Sequence, residues 1–560
     1  MCVRAGPSAL EFFRSVVMLA MILLVTIGLY VVAYLSYGKF LTTRYDVDDN
    51  RPTPSHTDYD GVDRVPAHKM VLLGHHFSSI AGAAPIVGPI IGALAFGWAP
   101  VLIWVILGTI LVGGVIDFSA LVASIRHNAR SIAEIAREYM SPMTYKLLLA
   151  FIWLTLVYVL TVFADLTATT FVQDGGVATS SILFIALAIM FGAALNRLKV
   201  PLLWCSAVFV PLVFVAVWGG QQIPLKADML AQVFSGEPRK VWALILLAYC
   251  FVASTTPVWI LLQPRDYLSS YLLYASVLSG FVGIFLGGFA INYPAFTSWS
   301  IPQTGTLFPI LFITVACGAC SGFHSIVASG TSSKQLNKET DARAIGYGGM
   351  LLEGIVAVIA LATVVMLPKG DELTGKPPLM IYAAGISKFL SLVGIPQRLG
   401  SSFGLLALSA FVLTTLDTAT RLGRYIFEEF FSLKGAHSRY LATAATLVLP
   451  AIFVLISLED PLGKPIPAWQ AIWPVFGTSN QLLAGLVALV ILVWLKKTGR
   501  RVGFIVGPML FMNIVTLWAL VLMLIRHKLS AVGIIAAVLL LLALLLMFEA
   551  LRTLRKMVGA

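Results

Sequence analysis

The chain has 560 residues, 59% of them hydrophobic and 11% charged, with a formal net charge of +12. A soluble chain carries about 25% charged residues, so most of this one does not meet water, and a soluble or disordered class is excluded. Its five cysteines (Cys2, Cys205, Cys250, Cys317 and Cys320) fall mostly inside apolar windows, which excludes a disulfide framework.

A bilayer-spanning helix needs about 20 largely apolar residues. The first window is 12–35, too long for a signal peptide and without a small-residue cleavage site. A polar insert follows, predicted as a cytoplasmic loop over 36–74 and containing "RYDVDDNRPTPSHTDYDGVDRVPAHK". Windows at 75–97, 99–124, 146–168, 179–195 and 201–219 come next, then 240–262, 271–291, 306–328, 345–367 and 400–416. The last four are 439–457, 472–495, 503–525 and 530–550. The 369–399 segment reads as an amphipathic helix lying in the outer interface. No short alternating segments of the barrel kind appear. The predicted fold is therefore all-α and polytopic, about 15 spans in a single membrane domain over 1–560.

Alternate loops differ sharply in charge: 26 of the 38 Lys and Arg residues fall in the set that follows the odd-numbered windows. By the positive-inside rule this puts the N-terminus outside and the C-terminus in the cytoplasm. It also turns the net charge into a topology and lipid signal, with the bilayer rather than nucleic acid as partner.

Two windows contain helix breakers. "GHHFSSIAGAAPIVGPIIG" holds Pro85 and Pro89, with Gly82 and Gly88 beside them, which predicts a break around 81–89. "VASTTPVWILLQPRDYLSS" holds Pro257 and Pro264, five windows later and with opposite charge-derived orientation. Paired breaks in two halves point to an inverted-repeat transporter with its site at the bilayer midplane. The expected repeats are 75–219 and 240–416, with 439–550 as additional helices. Exposed backbone at Gly82, Ala83, Ala84 and Pro85, and at Thr255 and Thr256, is the expected substrate-binding surface, half-helix N-termini favouring anions and freed carbonyls cations.

Carboxylates within or at the edges of windows are expensive and mark functional positions or ion pairs. Asp117 and Glu353 have no cation nearby in sequence, Asp165 lies near a window end, and Asp417 has Arg421 one turn on. His75, His76 and His324 lie in or at the broken helices, and histidine is the residue type whose ordinary pKa lies near neutral, which makes them candidates for proton coupling. Ser329, Thr331, Ser332 and Ser333 crowd the exit of the 306–328 window, a candidate sodium site. Protons are the preferred coupling ion and no cofactor is expected. Cys317, Cys320 and His324 share a helix face at spacing i, i+3, i+7 but lack the fourth ligand of a zinc motif. No phosphate-binding P-loop appears.

The stretches "DGVDRVP", "GHHFSSIAGAAPIVGP", "QPRDYLSSYLL", "CGACSGFHSIVASGTSSKQL", "IGYGGMLLEGIVAVIAL", "LTTLDTATRLGRYIFEE" and "IWPVFGTSNQLLAGL" together resemble the carbon starvation protein A family, in order from about residue 20 to 525. The resemblance implies a transporter of the amino-acid/polyamine/cation superfamily with the LeuT-type five-plus-five inverted repeat. It also implies a bacterial or archaeal plasma-membrane importer used in carbon starvation, with pyruvate and short peptides as substrates. The expected function is a proton-coupled symporter, not an enzyme. The alternatives are a membrane metal or redox protein built on Cys317, Cys320 and His324, and a nutrient sensor that does not transport.

Overall fold

The computed structural model describes residues 9–61, 63–225, 237–301, 305–435, 437–456, 458–459, 465–528 and 530–558. In chain order the helices begin with α1 (Ala9–Leu35) and α2 (Tyr37–Tyr45), the first span running almost straight through both. The polar loop is therefore 46–68, shorter than the apolar windows indicate, because α2 carries the chain on to Tyr45 and α3 (Lys69–Ile80) starts early. After α4 (Ala84–Phe96) come α5 (Trp98–Gly108), α6 (Gly114–Arg126) and a short amphipathic α7 (Ile132–Tyr139). Then follow α8 (Pro142–Gln173), α9 (Gly175–Asn196), α10 (Leu202–Gln222), α11 (Pro238–Thr255) and α12 (Leu262–Leu286).

The next span is in pieces: α13 (Leu307–Thr314), a non-helical stretch, α14 (Gly322–Val327), and π-helical and helical turns that end at Gln335. Beyond it lie α15 (Gly349–Val365), α16 (Pro378–Ser391), α17 (Gln397–Phe430), α18 (Ser438–Leu455), α19 (Ala468–Lys497), α20 (Gly503–His527) and α21 (Ala531–Val558). Among the described residues twelve helices are long and apolar enough to cross a membrane, thirteen if the bent pair α3 and α4 counts as one span. The fold is all-α and polytopic. The remaining windows of the sequence, 240–262 and 306–328, correspond to α11 and to the fragmented α13–α14 span.

The first break is where the prolines predict it. Helix α3 stops at Ile80, α4 starts at Ala84 with Pro85 in its first turn, and the two bend by 42°. The second break is not at Pro257. Residues 256–261 connect two separate helices, α11 and α12, and Pro264 sits inside the first turn of α12, where proline is tolerated. The second discontinuous span is α13–α14, whose unwound part is 315–321. That segment has one glycine and two cysteines but no proline, so a search for helix breakers passes over it.

These two broken spans run antiparallel. Ala67, just before α3, forms a parallel bridge with Leu336, just after the second span. At the other end, the Thr297 N–H donates to the Phe96 carbonyl and the Ala99 N–H to that of Ala295. The breaks meet between these ends: an added Cβ on Gly88 would lie 2.6 Å from the Thr314 carbonyl oxygen, and one on Gly318 3.4 Å from the Pro85 Cα.

Packing extends the relation. Helix α8 leans on α11 as α17 leans on α18; α3 packs on α12 as α14 packs on α19; α12 crosses to α17 as α19 crosses to α8. The five-plus-five arrangement is thus α3/α4, α5–α6, α8, α11 and α12 against α13/α14, α15, α17, α18 and α19. This differs from the 75–219 and 240–416 bounds read from the prolines, because the α9–α10 hairpin is inserted within the first set and moves every later helix by two. The 369–399 segment also differs from expectation: α16 is tucked against α17, with Leu379, Ile381, Tyr382, Ile386 and Phe389 buried, rather than lying exposed in the interface.

Gly88 is where the two spans touch backbone to backbone. Gly88→Ala should lower the folded yield and melting temperature of the purified protein, by about 1–3 kcal/mol of overpacking. Gly28, in α1, has nothing within 4 Å of an added Cβ. Gly28→Ala should leave the melting temperature unchanged or slightly raised, and a thermal melt of both variants in detergent checks the contrast.

Candidate functional site

Residues 74 to 90 are buried without exception, so the first break lies inside protein. Unwound backbone at this depth must find partners within the fold. The Gly82 N–H folds back onto the Ile80 carbonyl at 2.8 Å, so it is not open as the sequence reading expects. Ala83 and Ala84 open α4, where first-turn N–H groups have no partner in their own helix. An added Cβ on Gly82 would stand 2.8 Å from Thr415 Oγ1 and 3.1 Å from the Phe163 ring.

The carbonyls of the second break are satisfied from α5 and the π-helical turn that follows it. Trp104 Nε1 donates to the Val315 carbonyl (3.1 Å) and Thr109 Oγ1 to that of Gly318 (3.2 Å). From α19, Asn480 Oδ1 accepts the Phe323 N–H (2.8 Å), while its Nδ2 donates to Ser321 Oγ (3.0 Å) and Cys317 Sγ (3.2 Å). Asn480 thus acts as a detached cap for α14. Sequence reasoning missed it, although "GTSNQLL" places a run of polar residues in an otherwise apolar window.

Beside the breaks stands a trio of titratable groups, all fully buried: Asp117 on α6, His324 on α14 and Glu353 on α15. His324 lies between the two acids, with Nδ1 3.1 Å from Asp117 Oδ2 and Nε2 3.3 Å from Glu353 Oε2. Asp117 Oδ1 and both Glu353 oxygens have no hydrogen-bond partner among the described residues. Each of the three helices carries a π-helical turn close by: Thr109–Gly113 before Asp117, Ala328–Ser332 after His324, and Arg343–Gly348 before Glu353. Such turns shift the register of the side chains that follow and are frequent at functional sites. His76 approaches the same region from α3. Its Nδ1 meets Ser332 Oγ at 2.8 Å, its ring packs on Gly349, and its Nε2 has no partner among the described residues.

On the other side of α3 lies a second buried network. His75 Nδ1 is 2.7 Å from Asp266 Oδ2, and Arg265 reaches both Asp266 and Asp417. Tyr249 Oη donates to Asp417 (2.8 Å) and accepts from Arg265 Nη1 (2.7 Å). Asp417 is therefore paired across helices rather than with its neighbour Arg421, which donates instead to the Ala253 and Thr256 carbonyls at the end of α11. Arg265 is fully buried. The sequence reading put it in a loop because the apolar window begins at 271, whereas α12 begins at Leu262. The quoted "QPRDY" held the signal: an Arg-Asp pair next to a membrane window.

The remaining candidates lie elsewhere. Asp165 pairs with Arg239 and accepts the Trp469 N–H (2.9 Å), which ties α8 to the starts of α11 and α19. Thr255 and Thr256 end α11 and donate back to the Phe251 and Val252 carbonyls, so they belong to the α11–α12 connection and not to a mid-membrane break. Thr331 Oγ1, Ser329 Oγ and Ser333 Oγ each donate to the carbonyl four residues back, and Ser332 serves His76. Among the described residues no three His, Cys, Asp or Glu side chains form a metal-holding group; Cys317 is engaged with Ser321 and Asn480 instead of converging with Cys320 and His324.

Known proteins resemble this chain over most of its length. The family described as carbon starvation protein CstA matches residues 18–378 and 372–519. A peptide transporter CstA from Escherichia coli (strain K12) is 32% identical over 86% of this chain and 77% of its own length. The pyruvate/proton symporter BtsT of the same strain is 29% identical, over 89% of this chain and 81% of its own. Among solved structures, a mutant manganese transporter from Eremococcus coleocola aligns at 15% identity and a TM-score of 0.45, over 89% of this chain and 99% of that one. MhsT bound to L-phenylalanine aligns at 14% identity and a TM-score of 0.47, over 87% and 99%. With its motifs matched from the first span to the penultimate helix, the chain belongs to the carbon starvation protein CstA family.

Proposed function

We infer that this chain is a secondary active importer that carries a small carboxylate-bearing nutrient, pyruvate or a short peptide, together with protons. The observation that carries the reading is the buried Asp117–His324–Glu353 trio beside two facing helix breaks. The names of the relatives, a peptide transporter and a pyruvate/proton symporter, support the substrate class. In this reading the protein lies in a bacterial plasma membrane with its N-terminus outside and makes or breaks no covalent bond.

The physical argument concerns charge. Moving an anion inward against an inside-negative potential costs about 2.3 kcal/mol per charge per 100 mV. One accompanying proton makes the step electrically neutral, and two make it favourable. Two carboxylates and an imidazole reach zero net charge with two bound protons. A buried site of low dielectric favours that neutral state over any charged one. The trio is thus a store for up to two protons, and its unpartnered oxygens are where they can be exchanged. The substrate carboxylate is assigned to the first-turn N–H groups of Ala83 and Ala84, where the half-helix dipole favours an anion.

Two experiments in proteoliposomes test this. Asp117→Asn should abolish accumulation of labelled pyruvate or dipeptide driven by a pH gradient while keeping substrate exchange. Accumulation that persists in this variant, or that follows sodium and ignores pH, rejects the assignment. Gly82→Ala should raise the apparent KM at least several-fold through its contact with Thr415, and Thr415→Ala added to it should restore much of the loss.

The Arg265 network answers differently. Arg265→Gln leaves Asp417 and Asp266 buried without their cation, a loss of about 3–5 kcal/mol. Its melting temperature should fall far more than that of Asp117→Asn, and Arg265→Gln with Asp417→Asn should recover part of the fall.

A further inference from the structure

Three of the motifs singled out in the sequence, "DGVDRVP", "SGTSSKQL" and "LDTATRLGRYIFEE", play no part in the mid-membrane site beyond Asp417 and the Ser329–Ser333 run. They meet at the end of the protein that carries the 46–68 loop, the side the charge bias puts in the cytoplasm. Arg421 and Arg424 come from α17 and Lys334 from the last turn of the second broken span. Lys334 Nζ lies 4.3 Å and Arg424 Cζ 4.5 Å from the centre of the Tyr425 ring. Both arginine side chains are more than nine-tenths buried, and the Nε of each has no hydrogen-bond partner among the described residues.

Acidic partners are scarce here. Asp63 Oδ1 stands 3.6 Å from Arg421 Nη1, and Asp63 also faces Lys334 and Tyr425. Asp60 is occupied in holding the turn: its Oδ1 accepts the N–H groups of Asp63 (2.9 Å) and Arg64 (2.8 Å). Gly61 supplies the left-handed residue (φ 69°) that the turn requires. Arg64 pairs with Asp58 at 3.3 Å. The motif is thus a small turn that presents the Asp63 carboxylate to Arg421 and Lys334.

Capping accounts for part of the arrangement. Arg421 and Arg424 donate to the Ala253, Thr256 and Ser254 carbonyls at the C-terminus of α11. A helix end offers only about half a negative charge, so the cap alone does not balance Arg421 and Arg424. Lys334 takes no part in that cap.

We propose that Lys334, Arg421 and Arg424 form a second carboxylate-binding site at this end of the protein, in which the Asp63 side chain holds the place of the ligand. A carboxylate leaving the mid-membrane site displaces Asp63, and the loop turn swings aside with it. The site takes monocarboxylates and the C-terminal carboxylate of a short peptide. Naming a carboxylate as the ligand rests on the transport reading; the three cations and the nearby Asp63 do not.

The test uses the purified full-length protein in detergent and trifluoroacetate as probe, its binding read by fluorine NMR line broadening and competed with pyruvate. Asp63→Asn should bind the probe about tenfold more tightly than wild type, the scale of one removed competing charge. Lys334→Gln added to it should abolish the gain, and Lys334→Arg should keep it. No gain in Asp63→Asn, or a gain indifferent to Lys334→Gln, overturns the site. If Asp63→Asn is not recovered folded, Asp63→Ser serves for the same comparison. If wild type takes up no carboxylate in proteoliposomes yet the binding pattern holds, the transport reading fails and the site stands; uptake without the binding gain is the reverse.

Discussion

A backbone that leaves its helix inside a bilayer has no water to turn to, and each open N–H or C=O costs several kcal/mol. The two breaks of this protein are built around that constraint. They lie near one another: Gly88 in α4 packs on the Thr314 carbonyl at the end of α13, and Gly318 in the second unwound segment packs on Pro85 in the first turn of α4. The second break is satisfied by α5, the turn after it and α19: Trp104 and Thr109 for carbonyls, Asn480 for the start of α14. The helices that fold over the breaks are therefore part of their hydrogen bonding and cannot be exchanged for arbitrary apolar rods.

The same enclosure sets the behaviour of the charged groups. A carboxylate in a low-dielectric interior is tolerated when it is paired, hydrogen-bonded or protonated. The protein uses more than one of these answers on the two sides of α3. Around Arg265 the acids are matched by a permanent cation and a tyrosine hydroxyl, which ties α11, α12 and α17 together. Around His324 there is no permanent cation, and the neutral state requires bound protons. The difference separates a brace from a switch by the chemistry of the partner alone.

Much of this was legible in the sequence, because a bilayer imposes a simple pattern. Apolar windows located the spans, and Pro85 and Pro89 located the first break. Asp117 and Glu353, without a cation nearby in sequence, and His324, in a broken helix, are neighbours in space. The second break escaped because "ACGACSG" unwinds through packing and through Asn480, 160 residues later, and not through proline. Pro257 misled for the complementary reason: a proline two residues past a helix end marks a connection as readily as a break. Once the α9–α10 hairpin had entered the first set, counting helices could not recover the pairing. Arg265 and Asp266 were hidden by a window that started nine residues late, since a helix whose first turns are polar but buried looks like a loop.

His75 and His76 are adjacent on α3, and adjacent residues on a helix point about 100° apart. One reaches the Arg265 network through Asp266 and the other reaches Ser332, next to the proton store. Helix α3 is consequently bolted on two faces at the same level. A movement that carries this half-helix away from both faces loosens the brace and the switch in one step. Two consecutive histidines thereby make a rigid half-helix into a logical conjunction.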